Sequence, residues 1–193
     1  MKKIGITGGI GSGKSYVCRK IAQRGIPVYS TDDHAKLLMT QDPQIIEGLK
    51  QLIGPDTYIG GQLNRPLIAQ YLFSDPTHAA QVNAIVHPAV KRDFCSWASI
   101  QTSDIVVQEC AILFESGFAT TVDITVEVYA PRDIRIQRAC QRDHATPAQI
   151  EARMKHQMDE EDKRRLADLC ILNDGTADID KQIDMLLKQI SNR

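Results

Sequence analysis

The sequence of 193 residues predicts a three-layer α/β domain: a five-stranded parallel sheet between helices, interrupted by a helical insertion and followed by a charged segment. Three observations predict it. Short apolar runs alternate with helix-like segments, the pattern of a parallel sheet buried on both faces. A glycine-rich stretch, residues 5–15 (GITGGIGSGKS), joins the first strand to the first helix. From about Asp33 to Trp97 the apolar runs have helical spacing, with no convincing strand.

Each element has a local reason. Residues 3–7 are short, half apolar and end in glycine, as a strand does. From Lys14 onward, Val17, Cys18, Ile21 and Ala22 fall on one helical face, with Gly25 placed as a C-cap. Residues 26–29 (IPVY) make a second strand that stops at the polar turn 30–33 (STDD). Residues 32–39, 43–53, 65–73 and 76–98 read as helices. Pro43, Gly54, Pro55, Gly60, Gly61, Pro66 and Pro76 punctuate them. Residues 104–114 hold a third strand and its exit loop, and residues 123–130 a fourth strand. Pro131 starts a helix that turns Ile136, Ala139 and Cys140 inward. Thr146, Pro147 and Gln149 form a capping-box pattern. Residues 168–173 (DLCILN) are the last strand, and the final helix aligns Ile179, Ile183, Leu186, Leu187 and Ile190. The expected domains are a core of residues 1–32, 99–140 and 166–193, an insertion of 33–98 and a lid of 141–165.

Composition narrows the function. Net charge is −1, which gives no basic field for nucleic acid. No apolar run approaches the roughly eighteen residues of a membrane span. The opening MKK is followed by glycines and Lys14 rather than an apolar signal core, so a cytoplasmic protein is expected. Cys18, Cys95, Cys110, Cys140 and Cys170 are scattered, which suits small buried hydrophobes better than disulfides or zinc. Oligomeric state is left undetermined.

Gly8, Gly13, Lys14 and Ser15 fit G-x-x-x-x-G-K-[ST]. Successive backbone N–H groups of such a loop wrap a phosphate, and side chains would block the approach. The positive end of the following helix points at the same anion. Lys14 can reach the β- and γ-phosphates, and Ser15 can hold Mg²⁺. The motif marks a nucleoside triphosphate site and leaves the fate of the γ-phosphate open. The guanine-reading N-K-x-D and the D-x-x-G switch of GTPases do not occur, and neither does an LSGGQ-like string. The third strand ends in Gln108 and Glu109, a poor match to the Asp–Glu of assembly ATPases.

A kinase further needs a base near the acceptor hydroxyl and positive charge around the moving phosphoryl group. Asp32 follows the second strand on the ligand side of the sheet, and it or Asp33 can also cap the next helix. Arg135, Arg138 and Arg142 share a helical face, and Arg153 and Gln157 follow. The segment from about Gln141 to Arg165 is charged and poor in large apolar residues, so it reads as a lid that closes over phosphates.

Taken together, these stretches resemble the dephospho-coenzyme A kinase family over nearly the whole chain. The likeness rests on residues 4–15 (IGITGGIGSGKS); on Asn83, His87 and Pro88 in VNAIVHPAV; on Glu115 in AILFESGF; on Arg138, Arg142 and Asp143 in RACQRD; and on Ala167, Asp168, Asn173 and Gly175 in ADLCILNDG. The resemblance implies transfer of the ATP γ-phosphoryl group to the ribose 3′-hydroxyl of dephospho-CoA with Mg²⁺, on a P-loop kinase core with a CoA-binding insertion and a lid. ATP is then expected on Gly8, Gly9, Ile10, Gly11, Ser12, Gly13, Lys14, Ser15 and Tyr16, with Arg138, Arg142 and Asn173. Dephospho-CoA is expected on Asp32, Arg65, His87 and Glu115, and the catalytic groups are Asp32, Lys14 and Arg142. Ser30 stands where the family commonly has a first aspartate, Ala111 where it has proline, and Asn64 where it has an acid. His87 can bind substrate or fix a bend in a long helix. Another small-molecule kinase of shikimate or nucleoside type, or an ATP-dependent assembly factor, is the alternative.

Overall fold

The computed structural model describes residues 1–192; the expected core segment 166–193 thus ends on a residue, Arg193, outside the described ones. In chain order the elements begin β1 (Lys2–Thr7), α1 (Lys14–Ala22), β2 (Val28–Ser30), α2 (Thr31–Gln41) and α3 (Pro43–Ile53). Next come β3 (Tyr58–Ile59), β4 (Gln62–Leu63), α4 (Arg65–Ser74), α5 (His78–Ser99) and β5 (Ile105–Glu109). The chain finishes with β6 (Ile124–Tyr129), α6 (Arg132–Asp143), α7 (Pro147–Met154), α8 (Glu160–Leu166), β7 (Leu169–Leu172) and α9 (Ile179–Ser191). These divide into two compact units, one of residues 1–30 with the chain from Ile100 onward, the other Thr31–Ser99.

The first unit is built on a five-stranded sheet in the order β2-β5-β1-β6-β7, with every neighbouring pair parallel. Ile4 lies between Val107 and Ile124, and Ile6 between Glu109 and Val126. Ile4, Ile6, Val106, Val107, Val126 and Val128 are fully buried, which is why these strands read as continuous apolar runs. Each such side chain contributes about 1.5–3 kcal/mol. Val17, Cys18 and Ile21 of α1 and Ile179, Ile183, Leu186 and Ile190 of α9 complete this core. The carboxyl ends of β2, β5 and β1 meet, since Ser30 and Ile6 both lie opposite Glu109. That edge carries the glycine loop after β1, and Asp32 follows Ser30 by two residues in the chain.

The second unit is helical. Asp42 caps α3, accepting from the N–H groups of Gln44 and Ile45, and Asn64 caps α4, accepting from Leu67 N–H. Ile45, Leu49, Val86, Val90 and Phe94 are among its buried side chains. α5 runs unbroken through Pro88.

Some expectations are corrected. β3 and β4 pair antiparallel within the stretch expected to lack strands; two residues each are too few to show an alternation, and the turn uses Gly60 and Gly61 at φ 57° and 79°. α1 ends at Ala22, and Gly25 closes the turn beyond it by donating to Ala22 O at 2.9 Å. Cys18 and Cys110 are buried, but Cys95 and Cys170 are exposed, so not all the cysteines behave as core hydrophobes. On α6 it is Arg135, not only Ala139, that is buried. The segment expected to lack core contacts buries Ile150, Glu160 and Lys163. No helix among the described residues is long and apolar enough to cross a membrane.

Candidate active site

The loop between β1 and α1 is held open by its own backbone and by polar groups from later elements. Ser12 N–H donates to Gly9 O at 3.0 Å, and Gly13, at φ 89°, ends the loop and begins α1. A side chain at position 13 would be strained there and would meet the Asn173 amide. Lys14 and Ser15 are then the first residues of the helix, at the positive end of its dipole.

Their side chains converge on one carboxylate oxygen. Lys14 Nζ and Ser15 Oγ both lie 2.6 Å from Glu109 Oε1. The Cys18 thiol lies beside the same carboxylate; burial and that negative charge push the thiol well above its usual range. Sequence reading passed over Glu109, because it looked only for an Asp–Glu pair. The usable signal is a single acid at the last position of a strand in register with β1.

The elements after β6 reach the loop from the other side. Ile10 N–H donates to Gln157 Oε1 at 3.0 Å, and Gly9 N–H to Glu160 Oε2 at 3.1 Å. Arg135 Nε donates to Ile10 O at 3.1 Å, and Asn173 Nδ2 to Ser12 O at 2.7 Å. Arg138 donates to Asn173 O at 2.9 Å. The structure thus brings Arg138 and Asn173 to the loop residues Gly8, Gly9, Ile10, Gly11, Ser12, Gly13, Lys14 and Ser15. Arg135 and Gln157, which the sequence offers on the charged helical face and in the segment after it, join them, as does Glu160, which the sequence does not mark.

Other expected residues stand apart. Arg142 and Arg153 both bind Asp143, at 2.6 Å each, and the Arg142 side chain is 61% exposed. The two guanidiniums hold the Asp143 carboxyl well below the usual carboxylate range. Tyr16 is exposed, with Lys20 over its ring. Glu115 accepts from Met158 N–H at 2.9 Å and lies 3.3 Å from Lys163 Nζ. In the helical unit, Asp32 is exposed in the first turn of α2, and Arg65 is exposed at the start of α4. His87 is half-buried on α5; burial, and then the Lys91 charge, lower its pKa and favour the neutral ring.

Among the described residues no cluster of three or more His, Cys, Asp or Glu could hold a metal ion. A Mg²⁺ that travels with a nucleotide needs only one or two protein ligands, the rest being water and phosphate oxygens. The Ser15 hydroxyl and the Glu109 carboxylate, already gathered at one point, fit that requirement with hard oxygen donors.

The family model for dephospho-CoA kinase matches residues 2–178. A dephospho-CoA kinase of Bacteroides fragilis is 48% identical over 182 residues, 94% of this chain and 89% of that one. A crystal structure of a Thermus thermophilus protein superposes with a TM-score of 0.84 at 34% identity, covering 97% of each chain. A dephospho-CoA kinase structure from Campylobacter jejuni, at 20% identity and a TM-score of 0.72, covers 98% of this chain and 97% of its own and shares the P-loop kinase fold.

Proposed function

The chain belongs to the dephospho-CoA kinase family, and on that premise we propose that it transfers the γ-phosphoryl group of ATP to the ribose 3′-hydroxyl of dephospho-CoA, giving CoA and ADP. One observation carries the phosphate half of this reading: Lys14 and Ser15 share the Glu109 carboxylate beside the glycine loop, at the start of α1. When nucleotide binds, Lys14 exchanges Glu109 for the β- and γ-phosphates, and the loop N–H groups and the α1 dipole take up negative charge.

Ser15 and Glu109 are the residues that would hold Mg²⁺, which when bound would neutralise negative charge on the nucleotide phosphates. Asp32 is the base. It needs little basicity, because the hydroxyl proton leaves late in a loose transition state. Its exposure on α2 leaves its oxygens open to an acceptor hydroxyl. Arg138 steadies the nucleotide side through Asn173, and Arg142 joins the transferring group once it exchanges Asp143 for phosphate. Residues 141–165 act as the lid, and the helical unit with Arg65 and His87, together with Glu115, receives dephospho-CoA. Of two readings of His87, its lowered pKa favours a neutral hydrogen-bonding role.

Phosphorus NMR of the product tests the proposal. Incubation with Mg-ATP and dephospho-CoA is expected to yield ADP and a new ribose 3′-phosphomonoester; ATP hydrolysis with no new monoester overturns it.

A further inference from the structure

Two buried carboxyl groups beside the glycine loop take no part in the mechanism above. Glu127 sits on β6, opposite Thr7 of β1 on one side and Cys170 of β7 on the other, and is fully buried. Glu160, at the start of α8, is 8% exposed. Its Oε2 accepts from Gly9 N–H and pairs with Arg135 at 3.2 Å. No N–H or O–H donor of the described residues reaches either oxygen of Glu127 or Oε1 of Glu160. Lys163 Nζ, fully buried, stays 3.6 Å from Oε1 while it binds Ala111 O. α8 packs against β6, which sets the Glu160 carboxyl beside that of Glu127.

Holding two negative charges side by side in such a place is costly, even with Lys163 and Arg135 close to Glu160. Burial penalises each charge, and their mutual repulsion adds to the penalty. A single proton removes the difficulty: it makes one carboxyl a donor to the other. We propose that Glu160 is a positioning residue for the glycine loop, held in place by a proton it shares with Glu127. With Oε1 occupied by that shared proton, Oε2 is aimed at Gly9 N–H. The residue at position 9 agrees: a Cβ there would come within 2.8 Å of the Glu160 carboxyl carbon and 2.9 Å of Arg135. Glycine at this position admits the carboxylate to the backbone.

The groups facing Glu127 are Glu160, Lys163 and Arg164 of α8, Cys170 of β7 and Tyr129 of its own strand; Arg135 of α6 acts through Glu160. Burial, and then the Glu160 charge, push the Glu127 carboxyl up to about 8 against the pull of Lys163 and Arg164. The sign follows. The folded chain binds this proton more tightly than an unfolded one, whose glutamates titrate near about 4.3. Raising the pH through that window works against the arrangement, and above about 8 the proton is gone, Glu127 repels Glu160, and the Gly9 contact loosens.

This inference rests on the loop holding the nucleotide phosphates, not on the identity of the acceptor. The test is therefore read first without turnover, from the Gly9 amide of ¹⁵N-glycine-labelled native protein. Its resonance is expected to titrate with a midpoint near about 8. A Gly9 resonance flat from about pH 6 to 9.5 overturns the proposal. The second reading is the pH profile of kcat/KM for ATP with dephospho-CoA as acceptor. In the native chain it falls about tenfold from roughly pH 7 to 9, as a single group titrating midway requires. Glu127→Gln, which keeps a donor to Glu160 without a titrating proton, is expected to lose that decline relative to its own value at neutral pH. An unchanged alkaline decline in Glu127→Gln refutes the shared proton. Absence of CoA formation at every pH would instead refute the acceptor assignment.

Discussion

Around the glycine loop several polar groups have protein partners: Lys14 and Ser15 on Glu109, Gly9 on Glu160, Ile10 on Gln157, Ser12 on Asn173. On the helical unit, Asp32 and Arg65 stand exposed on the first turns of two different helices. On the proposed assignment of these residues, the two halves of the reaction are prepared differently. The phosphate end is preorganised, with carboxylate and amide oxygens holding the donors where phosphate oxygens will go. The acceptor end is a set of separate side chains whose geometry is completed by the ligand, as in enzymes that close around their substrates.

That contrast can be broken by substitution, starting where the effect is largest. Asp32→Asn is expected to lower kcat by about 10²–10⁴-fold, the range for loss of a general base, while ATP affinity measured by calorimetry stays within about twofold. Near-normal turnover would remove Asp32 from the mechanism. Lys14→Ala removes a preorganised cation from the phosphate end and is expected to cost about 10²–10³-fold in kcat with weakened ATP binding. Arg65→Ala acts on the acceptor end alone: KM for dephospho-CoA rises roughly tenfold, equivalent to about 1.4 kcal/mol, with KM for ATP unmoved. If both KM values rise together, the two ends are not separable in this way.

Smaller effects sharpen the comparison through stability. Asn173→Ala removes the buried donor to Ser12 O and is expected to destabilise by about 1–3 kcal/mol, seen as a lower Tm. The Asp143 carboxylate, shared by Arg142 and Arg153 on the surface, should matter less. Its folded pKa is lowered, so its contribution is full above about pH 4, begins to decline below that value and is lost only as the pH falls through the lowered folded pKa. Asp143→Asn is thus expected to lower Tm slightly at neutral pH and by progressively less as the pH is brought from about 4 toward about 2; a loss that does not shrink over that range would show a role other than charge.

The readable parts of this molecule are those whose requirements are local. The loop announces itself because its spacing and backbone freedom are set within eight successive residues, Gly8 to Ser15. The cap of α7 is readable for the same reason: Thr146 and Gln149 exchange hydrogen bonds three residues apart, as their spacing suggests. Strands of the sheet follow from apolar runs that must be buried on both faces. Glu109 escapes such reading because its role depends on the register of β5 against β1, which no local pattern records. Gln157 and Glu160 escape it because a charged helical segment looks solvated until its fold against the loop is known. The β3–β4 hairpin is too short for any periodicity.

The most direct measurement is ADP release from Mg-ATP with dephospho-CoA, shikimate, adenosine, AMP and CMP offered in turn to the purified protein. The account predicts rapid release with dephospho-CoA alone, matched mole for mole by CoA. Release that is equally fast with another acceptor, or that no acceptor stimulates although ATP binds, would contradict it.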